Sequence, residues 1–144
     1  MVLRLVVYAV KPQAVGQEAE RRGYLELEEI RNFPCGDLLL IDQLWVKFSG
    51  GKFGFSVQKQ IWLDVGGKLD FGEDYQSAKQ AYEKMSDRNG WRKSAQYISY
   101  KDAIFSTSAP IAHLPLVCIG LGGWVCCGVG GGVLGFSRIE TCKL

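Results

Sequence analysis

The chain has 144 residues, 47% of them hydrophobic and 22% charged, which is one domain by length and enough to bury a core without cross-links or metals. Seventeen basic against fifteen acidic side chains leave +2, so no strong field for nucleic acid or an anionic membrane is implied. The basic residues are scattered and form no stripe that would track a phosphate backbone.

Five cysteines, at 35, 118, 126, 127 and 142, lack the even spacing of a secreted framework, and no cleavable signal peptide opens the chain. A reducing compartment with free thiols is the simpler expectation. Cys118, Cys126, Cys127 and Cys142 also lack the paired spacing of a zinc knuckle.

Taken in order, residues 1–10 are apolar apart from Arg4 and are stopped by Lys11-Pro12. Residues 17–22 are a polar rim closed by Gly23. Residues 24–32 (YLELEEIRN) place Tyr24, Leu27 and Ile30 on one helical face, and Pro34 ends that helix. Asp37 is suited to cap the next one, in which Leu38, Ile41, Leu44, Trp45 and Phe48 recur at helical spacing. Leu39, Leu40 and Val46 widen the stripe, which predicts a central helix.

Ser49-Gly50-Gly51 supplies a corner, and a helix from about Ser56 carries Val57, Ile61, Trp62 and Val65 until Gly66-Gly67 ends it. Residues 74–85 (DYQSAKQAYEKM) form the cleanest amphipathic helix, with Tyr75, Ala78, Tyr82 and Met85 on one face and a turn at 87–90 after it. Trp91, Tyr97 and Ile98 are expected to pack on the core. Ser99 and Asp102 resemble a capping box opening a short helix over about 100–105, followed by an extended loop with prolines at 110 and 115.

Residues 114–136 carry no charge and match the length of a bilayer span, although their glycines and Pro115 disfavour a helix. An apolar flap folding on a groove is preferred, and a membrane-anchored interaction module using 114–136 is the alternative. Residues 137–144 read as a polar tail.

No catalytic constellation assembles from these parts. His113 is the only histidine, which rules out a histidine pair on a metal, and a structural role is preferred to axial ligation of a metalloporphyrin. The run GVGGGVLG lacks the lysine and Ser/Thr of a phosphate loop. What remains is surface. Residues 33–66 hold two of the four tryptophans and four of the seven phenylalanines, a density that either fills a core or walls a flat ligand.

This block resembles the genomes-uncoupled-four family of tetrapyrrole-binding regulators of magnesium chelatase. The matching strings are YLELEEI (24–30), IRNFPCGDL (30–38), IDQLWVKFSGGKFGFSVQKQIW (41–62), SDRNGWR (86–92), SYKDAIFSTSAP (99–110) and AHLP (112–115). The resemblance implies an all-α fold, a single compact helical domain over 1–144 with a cupped apolar groove, its core at 24–115 and a Gly-rich flap at 116–136.

It also implies no reaction of its own. The ligand implied is protoporphyrin IX or magnesium protoporphyrin IX, and the partner is the large porphyrin-carrying subunit of magnesium chelatase. The setting implied is the cytoplasm of a cyanobacterium or the chloroplast stroma, with peripheral membrane association left open. On the matching motif Val46, Phe55 and Val57 fall where the family lines its groove. Arg138 is the candidate for the ligand's carboxylates, and Trp124 for the flap.

Three departures accompany the match. The chain opens inside what the pattern implies is an early helix, an expectation of truncation at the N-terminus that also leaves out the helical extension many members carry. The flap is unusually rich in glycine and cysteine, and Ala112 stands where glycine is expected before HLP. Leu38, Ile41 and Leu44 are expected in the core, with Val46, Phe55 and Val57 on an open wall.

Overall fold

A computed structural model describes residues 29, 32–69, 74–116 and 138–144, and the architecture below is that of these residues. Three helices carry it: α1 (Cys35–Phe48), α2 (Phe55–Asp64) and α3 (Tyr75–Arg88). A two-stranded antiparallel hairpin, β1 (Arg92–Lys93) and β2 (Gln96–Tyr97), follows, and then a 3-10 turn at Tyr100–Asp102. The fold is all-α in character, as the sequence implies. The helix read at 24–32 lies outside the described residues except for Glu29, which is helical, and Asn32.

α1 starts directly after Pro34, so Asp37 sits inside its first turn rather than capping it. There its charge complements the helix dipole, as Lys47 does in the last turn. Leu38 and Ile41 are buried, as expected, and Trp45 is half-buried. Leu44 and Phe48 are not core: they are 45% and 74% exposed, and with Leu40 they form a row at four-residue spacing. α1 is therefore two-sided rather than central. The face that includes Asp42 meets α2, and the Leu40–Leu44–Phe48 row is rotated away from it.

The corner after α1 is built as its residues suggest. Gly50 and Gly51 both take positive φ (63° and 82°), which glycine alone adopts without cost. Ser49 Oγ accepts the backbone N–H groups of Lys52 and Phe53 at 3.1 and 2.8 Å. α2 then begins at Phe55 with Gly54 as its N-cap, so Ser56 lies inside the helix rather than capping it. Gly54 has no side chain to accept the first amides. Asp42 Oδ1 on α1 supplies the acceptor, taking the Ser56 N–H at 2.9 Å.

α2 buries Gln58, Ile61 and Trp62 and ends where the paired glycines predict. Gly66 takes a positive φ of 91°. Gly67 is needed for space, since a Cβ there would lie 2.2 Å from the Trp62 ring. Trp62 is fully buried and donates its indole N–H to Lys68 O at 3.0 Å. Truncating a side chain of this kind typically costs about 3–5 kcal/mol.

α3 is capped by Asp74, whose carboxylate accepts the Ser77 N–H at 3.0 Å. Tyr82 and Met85 are buried as the amphipathic pattern predicts, whereas Tyr75, in the first turn, is 53% exposed. The helix continues to Arg88, through half of the expected turn, and closes on Asn89 and Gly90. Trp91 and Ile98 pack in the core at 2% and 7% exposure.

The hairpin between them went unpredicted. Its turn residues Ser94 and Ala95 both have positive φ (50° and 64°), a two-residue connection normally signalled by Asn or Gly. The Asp102 carboxylate does accept the Ser99 N–H and hydroxyl, but the helix it opens is a single 3-10 turn rather than 100–105.

The tail is a correction. Residues 138–141 form a helical turn, and Ile139 and Cys142 are buried at 3% and 6%. Cys142 is not a free thiol: it is disulfide-bonded to Cys35, the first residue of α1, 107 positions away. A loop of that length removes about 4–5 kcal/mol of conformational entropy from the unfolded chain in the chain-entropy picture. Cys118, Cys126 and Cys127 lie outside the described residues.

Candidate functional site

Val46 ends the inner face of α1, and Phe55 and Val57 occupy the first turn of α2, on the other side of the glycine corner. All three are half-buried, and Phe55 and Val57 pack against the core on one side. Two contacts draw the helices together here. One is the Asp42–Ser56 hydrogen bond, and the other is a close approach at Gly54, where a Cβ would meet Asp42 Oδ1 at 2.7 Å and Val46 Cγ2 at 2.9 Å. Only glycine lets α2 start this close to α1, and that proximity sets Val46 beside the turn bearing Phe55 and Val57.

Phe53, inside the corner, is buried at 3% and meets Trp45 edge-to-face at 6.2 Å between ring centroids. It belongs to the support of the wall rather than to its surface. Trp45 Nε1 is buried with no hydrogen-bond partner among the described residues.

A strap formed by residues 107–116 locks the corner from outside. Ala112 N–H donates to Lys52 O at 2.9 Å, and Gly54 N–H donates to Leu114 O at 3.1 Å. Gln58, fully buried on α2, donates through Nε2 to Ala112 O and Pro115 O at 3.2 and 2.6 Å. Ala112 takes φ 58°, in the left-handed region, at the position where the sequence reading expects glycine.

His113 holds the strap to the rest of the domain and is 1% exposed. Its Nε2 accepts the Ile104 N–H at 3.0 Å, so the neutral ring carries its proton on Nδ1 and donates it to Asn89 O at 2.8 Å. The Trp91 indole N–H donates to His113 O at 2.8 Å. Burial keeps its pKa below the ordinary imidazole value, against the opposing pull of the Asn89 carbonyl. Both ring nitrogens are occupied, which overturns axial ligation and leaves the structural role.

The structure does not gather every candidate at one place. Arg138 is half-buried at the opposite end of α1, where its Nε and Nη2 donate to Phe33 O. Trp124 lies outside the described residues. Asp42, Gln58 and His113, which hold the wall in shape, gave no sequence signal beyond being polar residues in apolar surroundings. Val46, Phe55 and Val57 are apolar and offer no ligating atom, so a group bound there would be held through apolar surface.

Two helices joined by a glycine corner and braced by a loop leave Val46, Phe55 and Val57 half-buried at that corner. The model for GUN4-like proteins matches residues 8–129, and the chain belongs to that family. It is 36% identical over 107 residues to the Arabidopsis thaliana "Tetrapyrrole-binding protein, chloroplastic", a match covering 72% of this chain and 38% of the relative. A Synechocystis Ycf53-like protein is 32% identical over 106 residues, covering 73% of this chain and 40% of the relative.

Among solved structures, GUN4 from Chlamydomonas reinhardtii superposes with a TM-score of 0.59 at 26% identity, over 95% of this chain and 76% of that one. Ligand-free Arabidopsis thaliana GUN4 gives 0.51 at 30% identity, over 80% and 79%. The chain thus spans about two-fifths of the length of these curated relatives.

Proposed function

We propose that this chain binds a tetrapyrrole, protoporphyrin IX or its magnesium form, against the wall of Val46, Phe55 and Val57, and performs no reaction of its own. What supports the reading is three half-buried apolar side chains at the glycine corner between α1 and α2, in a chain of the GUN4-like family with a relative named for tetrapyrrole binding. A porphyrin is an apolar plate, and removing its faces from water drives binding in proportion to the area covered. Trp124 and Arg138 are the proposed contacts at the rim. Arg138, held by Phe33 O at the opposite end of α1, would reach a ligand carboxylate only by leaving that carbonyl for it.

By the same family likeness, the proposed partner is the large porphyrin-carrying subunit of magnesium chelatase, in a cyanobacterial or plastid setting, with regulation of chlorophyll biosynthesis as the outcome. The test is a titration of the full chain with deuteroporphyrin IX and magnesium protoporphyrin IX. A shifted Soret band with quenched tryptophan emission at micromolar concentrations is the expected result. Unchanged spectra with both ligands would overturn the proposal.

The membrane-anchored alternative loses ground at its first residues. Leu114 and Leu116 are 3% and 6% exposed, and Pro115 O is held by Gln58, so 114–116 belong to the folded domain. Among the described residues no helix is long and apolar enough to cross a membrane. Most of 114–136 lies outside them.

A further inference from the structure

The 138–144 segment is tied to the two helices that build the wall, and every tie lies within a few residues of the Cys35–Cys142 disulfide. Arg138 donates to Phe33 O, two residues before Cys35. Lys59 on α2, four residues after Phe55 and two after Val57, donates to Leu144 O at 2.8 Å and pairs with Glu140 at 2.5 Å. Ile139 is buried between these contacts. Cys142 is buried and Cys35 half-exposed, so the cross-link is approachable from the Cys35 side. Cys35 is the first residue of α1, where the unpaired amides of a helix start favour negative charge on its sulfur when it leaves in the second step of exchange.

We propose that the Cys35–Cys142 disulfide is a redox latch on the 138–144 segment, and that its reduction weakens tetrapyrrole binding at the wall. The second half of this inference rests on the function proposed above, and the first half does not. In the latched form the segment is held covalently, and its ion pair and hydrogen bonds brace α2 at Lys59 and fix Arg138. With the bond cut, the segment is retained by the burial of Ile139 and Cys142, by Leu144 packed against the core and by its polar contacts, all of which compete with the entropy of release.

The chemistry is thiol–disulfide exchange with a dithiol as reductant. A dithiol thiolate attacks Cys35 Sγ, and the bond between the two cysteines breaks. Cys142 leaves as a thiolate and takes up a proton. The second thiol of the reductant then displaces Cys35, leaving two protein thiols and one disulfide on the reductant.

The test compares the full chain in oxidised form and after dithiothreitol treatment, with thiol counts confirming each state, alongside Cys35→Ser and Cys142→Ser. Hydrogen exchange over 138–144 reads the latch without any ligand, and deuteroporphyrin titration reads its effect on the wall. The expected result is faster exchange at 138–144 and a dissociation constant raised about fivefold or more on reduction, within the usual range of coupling between sites. Both serine variants should match the reduced protein with or without dithiothreitol, and a cooperative melt shows that they fold.

Equal exchange in the oxidised and reduced chains overturns the latch. Faster exchange with unchanged affinity overturns its coupling to the wall. Binding absent from both forms overturns the tetrapyrrole reading and the coupling with it, while the exchange data still decide the latch.

Discussion

The carboxylate of Asp42, 7% exposed on α1, accepts the backbone N–H of Ser56, on α2, at 2.9 Å. One side chain therefore both caps the second helix and fixes its distance from the first. Asp42→Ala is expected to lower the unfolding free energy by about 1–2 kcal/mol, the usual cost of a lost N-cap, with the amide left unpaired. Asp42→Asn keeps an acceptor oxygen and should recover most of that loss. Urea denaturation of the three proteins at neutral pH checks the order, and an alanine variant as stable as the parent would remove the cap from the stabilising contacts.

Gly54→Ala attacks the same junction from the other side. The added methyl would lie 2.7 Å from Asp42 Oδ1 and 2.9 Å from Val46, on a residue whose φ is 137°. The helices must separate to admit it, at a cost of about 2 kcal/mol or more. Thermal melting should show the loss. Gly36→Ala is the control, because its methyl meets nothing within 4 Å.

His113 predicts a pH dependence with a definite sign. Burial is the chief cause of its depressed pKa, with Lys93 adding to it and the Asn89 carbonyl opposing it. The unfolded chain takes up the proton at about 6.5, before the folded one does, so the stability is fully present above that value and falls as pH drops below it. Asp74 and Asp102 are lowered from 3.8, chiefly by side-chain hydrogen bonds with Ser77 and Ser99 respectively, and so weaken the fold only below that value. A melting temperature that declines as pH falls below about 6.5 is therefore assigned to the single histidine. His113→Gln should be less stable at neutral pH and flat across this window, and an equal slope in both proteins would sink the assignment.

Ala112→Gly should stabilise the chain. A left-handed alanine costs roughly 1–2 kcal/mol, which glycine avoids, while the freer unfolded chain returns about 0.5–1 kcal/mol of that. The net gain expected is about 0.5–1 kcal/mol, less whatever the buried methyl contributes. A raised denaturation midpoint at unchanged slope checks it, and a lowered one would show that the methyl's packing outweighs the strain.

Phe55→Ala should raise the dissociation constant for deuteroporphyrin by about tenfold, the equivalent of burying one aromatic face against the ligand. Leu40→Ala, on the exposed row of α1, is expected to leave affinity unchanged and stability within about 0.5 kcal/mol. Equal affinities for the parent and Phe55→Ala would take that side chain out of the wall.

The sequence shows some of these features and conceals others for physical reasons. Helical spacing located α1, α2 and α3, and paired glycines marked the ends of α1 and α2, because periodicity and φ freedom are local properties. Leu44 was placed in the core because α1 is apolar on most sides, and composition does not tell which side faces a neighbour. The Ser94-Ala95 turn was missed because neither residue is a usual bearer of positive φ.

The cross-link between Cys35 and Cys142 joins residues 107 apart, a pairing that spacing cannot reveal in a chain of five cysteines. The wall residues were legible only through the family motif. The residues that hold them in place, Gln58 and His113, act through backbone carbonyls and amides that leave no trace in side-chain pattern.

The strap over the corner bears on the order in which the domain is made. Lys52 and Gly54 are tied to Ala112 and Leu114, and Gln58 to Ala112 and Pro115, across separations of 54 to 60 positions. During synthesis the corner leaves the ribosome long before its clasp does, and its amides and carbonyls remain with water until then. The corner bearing Val46, Phe55 and Val57 is thus closed only when both parts of the chain are present. A fragment stopped ahead of Ala112 would contain all three of those residues and still lack the clasp.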